Sequence, residues 1–197
     1  MSIVSRQHLS QPWHERLVLD DGRELVLRPI DPADAEPLRA AFSLLSREEI
    51  RQRFLHVLKE LTPEHARRLT TLDPRREFAL VIAEPLPPGQ ALVVAVARAA
   101  IDDDGRHAEF AILVGRALAG RGLGRLLMKR LIRWARLKRL ESLYGDVLED
   151  NTAMLTLART LGFRREPLPP APGVTRVRLV LAEPGHGSRR SGRMTAA

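Results

Sequence analysis

The sequence predicts a single α/β domain built on one central sheet, mixed but mostly antiparallel, and flanked by helices. Short runs of alternating or Val- and Ala-rich residues, bounded by turn formers, interleave with longer segments whose apolar residues recur at helical spacing. Three helix starts are marked by their own chemistry: Asp31-Pro32, Ser46-Arg47-Glu48-Glu49 and Thr62-Pro63-Glu64. The chain has 197 residues, 44% of them hydrophobic, which suits one ordinary domain with a real core.

Residues 1–22 are expected to be an N-terminal lead-in closing on the turn Asp20-Asp21-Gly22. Alternation over Arg23–Arg28, with Leu25 and Leu27 apolar, predicts a strand. Asp31 as cap and Pro32 at the first helical position start a helix expected to reach about Leu45. The Ser46–Glu49 capping box starts a second helix through about Leu55, and Thr62-Pro63 a third ending near Leu72. Strands are predicted at Phe78–Ala83, Ala91–Ile101 and His107–Val114, the last two joined by the tight turn Asp102-Asp103-Asp104-Gly105. A loop over Gly115–Gly122 then opens the long amphipathic helix Leu123–Arg139, whose Leu123, Leu127, Leu131 and Trp134 form a core stripe. A strand at Ser142–Leu148, a helix at Asn151–Leu161 capped by Gly162, and a strand at Val174–Leu181 complete the pattern. The main domain is therefore expected over residues 23–182. Residues 183–197, rich in Gly, Ser and Arg, are expected to form a disordered basic tail.

Composition narrows the chemistry. Without cysteine, a disulfide framework, a thiolate nucleophile and a Cys-based metal centre are excluded. His56, His65 and the other histidines show no metal-ligand spacing, so no metal is expected. The longest purely apolar run, Ala91–Ala97, is far too short to cross a membrane, and the charged first thirty residues hold no signal-peptide core. A cytoplasmic protein without membrane partners is expected. The balance of 32 Lys+Arg against 24 Asp+Glu gives +8, which fits nucleic acid, an acidic surface or a polyphosphate ligand, and composition does not choose among them. A nucleic-acid partner is not expected, because there is no reading motif and aromatics make up only 4% of the chain.

The informative stretch is Glu109–Arg125: a strand, a loop, then Gly120-Arg121-Gly122-Leu123-Gly124-Arg125 opening a helix. Amides at a helix N-terminus lack intrahelical acceptors, the helix dipole is positive there, and glycines let a phosphate approach the backbone. A Walker loop would need Lys-Ser/Thr after Gly124, where Arg125-Leu126 stand; a dinucleotide fingerprint would need glycine at Leu127. Neither fits. Arg121 and Arg125 flank the glycines and are expected to contact a diphosphate and a further phosphate.

This stretch resembles the signature of the GNAT superfamily of acyl-CoA-dependent N-acetyltransferases, Gln/Arg-x-x-Gly-x-Gly/Ala, with Ala119–Gly124 occupying it and Ala119 replacing the first Gln or Arg. Asn151-Thr152-Ala153-Met154 through Leu161-Gly162-Phe163 resembles the family's Asn-containing helix ending in Gly-Phe. Leu27-Arg28-Pro29-Ile30, Asp31–Asp34, Arg51–Phe54, Leu61-Thr62-Pro63 and Glu109-Phe110-Ala111 are similar to the GNAT domain of bacterial protein lysine acetyltransferases that modify acyl-CoA synthetases.

The resemblance implies acetyl-CoA as cosubstrate, held by the amides of Ala119, Gly120, Arg121, Gly122, Leu123, Gly124 and Arg125, with Asn151 near the pantetheine and phosphate arm. It places the acetyl carbonyl against backbone amides of Ile112, Leu113 and Val114, where an N–H would stabilise an oxyanion. It also makes Glu109 the general base that neutralises the attacking amine. Alternation sets Glu109, Ala111 and Leu113 on one strand face, opposite Phe110, Ile112 and Val114. The family's thiolate-protonating Tyr would fall at Ala158, and the single Tyr of the chain is Tyr144. Glu149-Asp150 is expected to cap the following helix. The implied function is acetylation of a protein lysine by direct attack in a ternary complex, with an acyl-CoA synthetase as candidate partner. Small-amine or N-terminal acetylation, and non-catalytic acyl-CoA binding, are the competing classes.

Overall fold

The computed structural model describes residues 3–56, 58–167 and 172–181. Among the described residues, nine strands form one sheet: β1 Ile3–His8, β2 Glu15–Leu19, β3 Glu24–Pro29, β4 Glu77–Ala83, β5 Val93–Ile101, β6 His107–Val114, β7 Ser142–Leu148, β8 Arg164–Pro167 and β9 Val174–Val180. Their spatial order is β1-β2-β3-β4-β5-β6-β7-β9-β8. Every neighbouring pair is antiparallel except β6 and β7. The helices are α1 Ala35–Ser43, α2 Arg47–Phe54, α3 Pro63–Thr70, α4 Leu123–Leu137 and α5 Thr152–Thr160. The mixed, mostly antiparallel sheet flanked by helices is the fold class expected.

The helices divide between two cores. α4 and α5 cover one sheet face, where Leu127, Leu131 and Trp134 pack on a strip of Ala95, Ala97 and Ala99. Those small side chains let the helix axis approach the sheet closely. α1, α2 and α3 cover the other face through Leu38, Phe42, Ile50 and Ala66 against Ala79 and Val81. No helix among the described residues is long and apolar enough to cross a membrane.

Four elements depart from expectation. Residues 1–22 are not simply a lead-in, because β1 and β2 extend the sheet at its edge. Leu17 and Leu19 are fully buried there, and Glu15, 1% exposed, is held by the guanidinium groups of Arg6 and Arg130. A buried charge reads as polar in sequence and hides the alternation. The helix expected from Asp31 begins as a 3-10 turn, Pro32–Asp34, and α1 stops at Ser43. Asp34 is fully buried, accepting from Arg28 with both oxygens at 2.6 and 2.8 Å and from the Asp31 N–H at 2.9 Å. The cap of α5 is Asn151, whose Oδ1 accepts from the Met154 N–H at 3.0 Å, and not Glu149 or Asp150. Finally, β8 has no counterpart in the sequence reading. The expected tail, 183–197, lies outside the described residues.

Candidate active site

The site begins where the parallel pair β6–β7 comes apart. β6 and β7 are in register over His107–Glu109 and Ser142–Tyr144, and beyond that the two strands diverge. Phe110 fills the start of the gap, its ring lying over Gly145, where an added Cβ would come within 2.8 Å of it. Phe163 closes on the same ring edge-on at 5.4 Å. The result is a cleft of about 620 Å³ walled by β6, β7, the loop before α4, α5 and the end of α2.

On β6, hydrogen-bond register decides which amides face this cleft. The Gly115 N–H donates to Val94 at 3.0 Å, and at the hairpin end the Asp102 N–H donates to His107 at 2.9 Å. The regular register between these points assigns the N–H groups of Leu113, Ala111 and Glu109 to β5. Those of Ile112 and Val114 therefore turn toward the gap left by β7. Leu113, expected alongside them, contributes its side chain to the wall instead.

At the far end, Gly120 and Gly122 adopt φ of +76° and +83°, left-handed backbone that glycine reaches without strain. Gly122 is the N-cap of α4 and has no side chain to cap it. From Gly120 through Arg125, no backbone N–H has a hydrogen-bond partner among the described residues. That run of open donors at the positive end of a helix suits a diphosphate. Gly120, Gly122, Leu123, Gly124 and Arg125 all line the cleft, as does Asn151.

Two expected contacts are arranged differently. The Ala119 N–H is consumed by Arg116 at 3.1 Å, closing a 3-10 turn over Arg116–Leu118. The Arg121 guanidinium turns away from the cleft to Asp20 and Asp21, at 3.2 and 2.6 Å, on the β2–β3 turn. An acidic turn a hundred residues earlier competes for that cation, and local spacing gives no sign of it. Arg125 remains at the cleft, its one side-chain bond going to the neutral Thr160 hydroxyl at 3.1 Å.

Glu109 stands at the opposite end of the cleft, exposed, with no hydrogen bond or ion pair among the described residues. Partial burial of the carboxyl pushes its pKa up, and Asp146 adds to this; Arg176 pulls the other way, Asp102 pushes up again, and Arg53 opposes it. Asp146 is itself clasped by Arg176 at 2.7 and 2.9 Å. Tyr144 donates to both oxygens of Asp102 at 3.1 Å, with Arg176 and Arg178 over its ring at 4.3 and 4.9 Å. Burial and Asp102 raise its phenol to about 12, so it stays protonated. Ala158 is 1% exposed within the core, and the α5 wall of the cleft is Ala153, Met154 and Leu157. No side chain on that wall can protonate a thiolate.

Sequence reasoning missed Glu49 and Arg53 on α2. Glu49 appeared only as half of a capping box, which it is: its Oε2 accepts from the Ser46 N–H at 2.9 Å. Its Oε1 accepts from the Arg116 N–H at 2.8 Å, tying α2 to the loop that follows β6. Burial raises the Glu49 pKa, but hydrogen bonds from Ser46 and Arg116 outweigh it and hold the group ionised. Arg51 joins α2 to the turn before α5 through Asp150 at 2.5 Å.

Against known proteins, residues 24–164 match the family model described as an acetyltransferase (GNAT) domain. The chain is 32% identical over 157 residues to Acetyltransferase PA5475 of Pseudomonas aeruginosa, covering 79% of this chain and 83% of that one. Among solved structures, the GNAT domain of S. lividans PAT superposes with a TM-score of 0.75 at 25% identity, covering 88% of this chain and all of that one. A cAMP-binding acyltransferase from Mycobacterium smegmatis gives 0.57 at 26% identity, and there this chain matches only 48% of the longer protein. The splayed parallel pair, the uncapped glycine loop and these matches together make this chain a member of the GNAT acetyltransferase family.

Proposed function

We propose that the protein transfers the acetyl group of acetyl-CoA to a lysine side chain of another protein, by direct attack in a ternary complex with Glu109 as general base. The observation that carries this reading is the placement of an unpaired, raised-pKa carboxyl at one end of a cleft whose other end is a run of open amides. The amides of Gly120 and Arg121 through Arg125, with the Arg125 guanidinium, bind the diphosphate. Asn151 flanks the arm between. The Ile112 and Val114 N–H groups take the thioester carbonyl, each donor contributing about 3–4 kcal/mol to the oxyanion in comparable enzymes.

Glu109 accepts a proton from the lysine ammonium, and the neutral amine forms the new C–N bond at the carbonyl carbon. The C–S bond then breaks with its electron pair going to sulfur, the nitrogen gives up its second proton through water to the departing thiolate, and Glu109 releases the first proton to solvent, leaving a neutral amide and the free thiol of CoA. A lysine side chain is favoured because Glu109 is exposed and unpartnered among the described residues, where an extended chain can bring its ammonium to the carboxylate. An acyl-CoA synthetase remains the proposed partner by resemblance, and a cytoplasmic location goes with it.

A small-amine acceptor is the second reading, favoured by an adjoining apolar cavity of about 510 Å³ beneath α1 and α2. A panel of lysine peptides, α-amino peptides, polyamines and aminoglycosides, followed by thiol release, separates the two. Exclusive turnover of a free polyamine or aminoglycoside overturns the lysine assignment.

A further inference from the structure

Arg53 is the unexplained cation of this site. It lies on α2 where the cleft meets the apolar cavity, and lines both. It has no hydrogen bond among the described residues, and no carboxylate comes within the 4.0 Å of an ion pair. Its neighbours cannot serve it. Arg98 repels it and is already committed to Glu77 and to the Leu69 carbonyl. Glu109 attracts it from beyond pairing distance. Phe54 supplies only a ring face, 4.8 Å from the guanidinium carbon.

Every fully enclosed side-chain nitrogen or oxygen among the described residues has a partner. The unbonded nitrogens of Arg53 therefore border open space, the space the acceptor would occupy. An acceptor that fills that space and displaces its water would leave a guanidinium beside Leu113, Phe42 and Phe54 costly to keep unpaired, and its planar fork suits a carboxylate. Across the cleft Glu109 has no partner among the described residues and can receive an ammonium, whereas Asp146 is already held by Arg176.

We propose that Arg53 is an anion anchor for the acceptor, binding a carboxylate carried close to the amine that Glu109 deprotonates. Taken with the lysine reading on which it rests, this selects lysines with an acidic neighbour. The protein thus recognises a dipolar group, the ammonium at Glu109 and the carboxylate at Arg53.

The test compares two lysine peptides that differ only in Glu or Gln beside the lysine, with wild-type enzyme, Arg53→Gln and Arg53→Lys. Wild type is expected to prefer the Glu peptide by about tenfold to a hundredfold in kcat/KM, expressed in KM, the range of a charge-assisted hydrogen bond. Arg53→Gln should abolish the preference and Arg53→Lys reduce it. Any effect of Arg53 on Glu109 falls on both peptides alike and cancels in the ratio. Equal use of both peptides by wild type, or a preference that survives Arg53→Gln, overturns the anchor and leaves lysine acetylation standing. Should Arg53→Gln fail to fold, Arg53→Lys carries the comparison, and an undiminished preference in it overturns the anchor equally. Should no lysine peptide react while a free amino acid is preferred to its amide in an Arg53-dependent way, the anchor stands and the lysine reading falls.

Discussion

Replacing Glu109 with Gln tests the chemistry most directly, because the structure isolates its effect. The carboxyl makes no hydrogen bond or ion pair among the described residues, so its neutral isostere should change stability by no more than about 0.5 kcal/mol. What is lost is a proton acceptor, a group that typically contributes about a hundredfold to ten-thousandfold in rate, or roughly 3–5 kcal/mol of barrier. The pH profile carries a second signature. Only ionised Glu109 accepts a proton, so activity falls as pH drops through its pKa. Burial and Asp146 raise that pKa, so the acid limb lies above the ordinary carboxylate range. In Glu109→Gln that limb should vanish, leaving the ionisation of the amine to set the profile. The assay is thiol release at saturating acetyl-CoA with a lysine peptide, alongside calorimetric titration with CoA, whose affinity should be unchanged. A variant that keeps more than about a tenth of wild-type kcat/KM at neutral pH, with its acid limb intact, refutes Glu109 as the base.

Two further predictions probe each end of the cleft. Asp146→Asn removes a negative charge that raises the Glu109 pKa and frees Arg176, which lowers it; both changes move the acid limb of kcat/KM to lower pH, and a limb displaced upward or not at all would contradict the assigned coupling. Arg121→Ala and Arg125→Ala should differ in CoA affinity measured by calorimetry. Arg121 is spent on Asp20 and Asp21, so its loss should cost no more than about threefold, whereas Arg125 should cost about tenfold to a hundredfold as a lost phosphate contact. Equal losses would mean that Arg121 releases its carboxylates to reach the ligand.

The parts of this molecule that could be read from sequence are those determined by near neighbours along the chain. The Ser46–Glu49 capping box, the core stripe of α4 and the Asp102–Gly105 hairpin are all set within a few residues, and the structure has each of them. The alternation of β6 likewise separates exposed Glu109 from buried Phe110. What escaped depends on distant partners. Glu15 is buried only because Arg6 and Arg130 neutralise it, and Arg121 leaves the cleft only because Asp20 and Asp21 wait across the sheet edge. Arg53 is conspicuous for the opposite reason: nothing local marks a cation whose distinction is having no partner in the fold. Even the alternation of β9, equally apolar and basic by inspection, is resolved only by packing, which buries Thr175 and Val177 and leaves Arg176 and Arg178 on the other face, against the Tyr144 ring.

Topology explains why the two ends of the cleft fall where they do. Parallel strands cannot be joined by a hairpin and need a crossover, and α4 is the crossover from β6 to β7. A crossover helix starts at the C-terminal end of the strand it leaves. The open amides of its first turn are therefore fixed beyond Val114, at the wide end of the gap between β6 and β7. On β7 the other neighbour is β9, so its far side is sealed by a full antiparallel ladder and the gap can open only toward β6. Glu109, the last residue of β6 still in register with β7, necessarily sits at the narrow end. The open amides and the Glu109 carboxylate thus stand at opposite ends of the gap, with the Ile112 and Val114 amides between, which is the arrangement the proposed reading requires. In the proposed reading the spacing of carbonyl site and base is set by strand rise along β6, about 3.3 Å per residue.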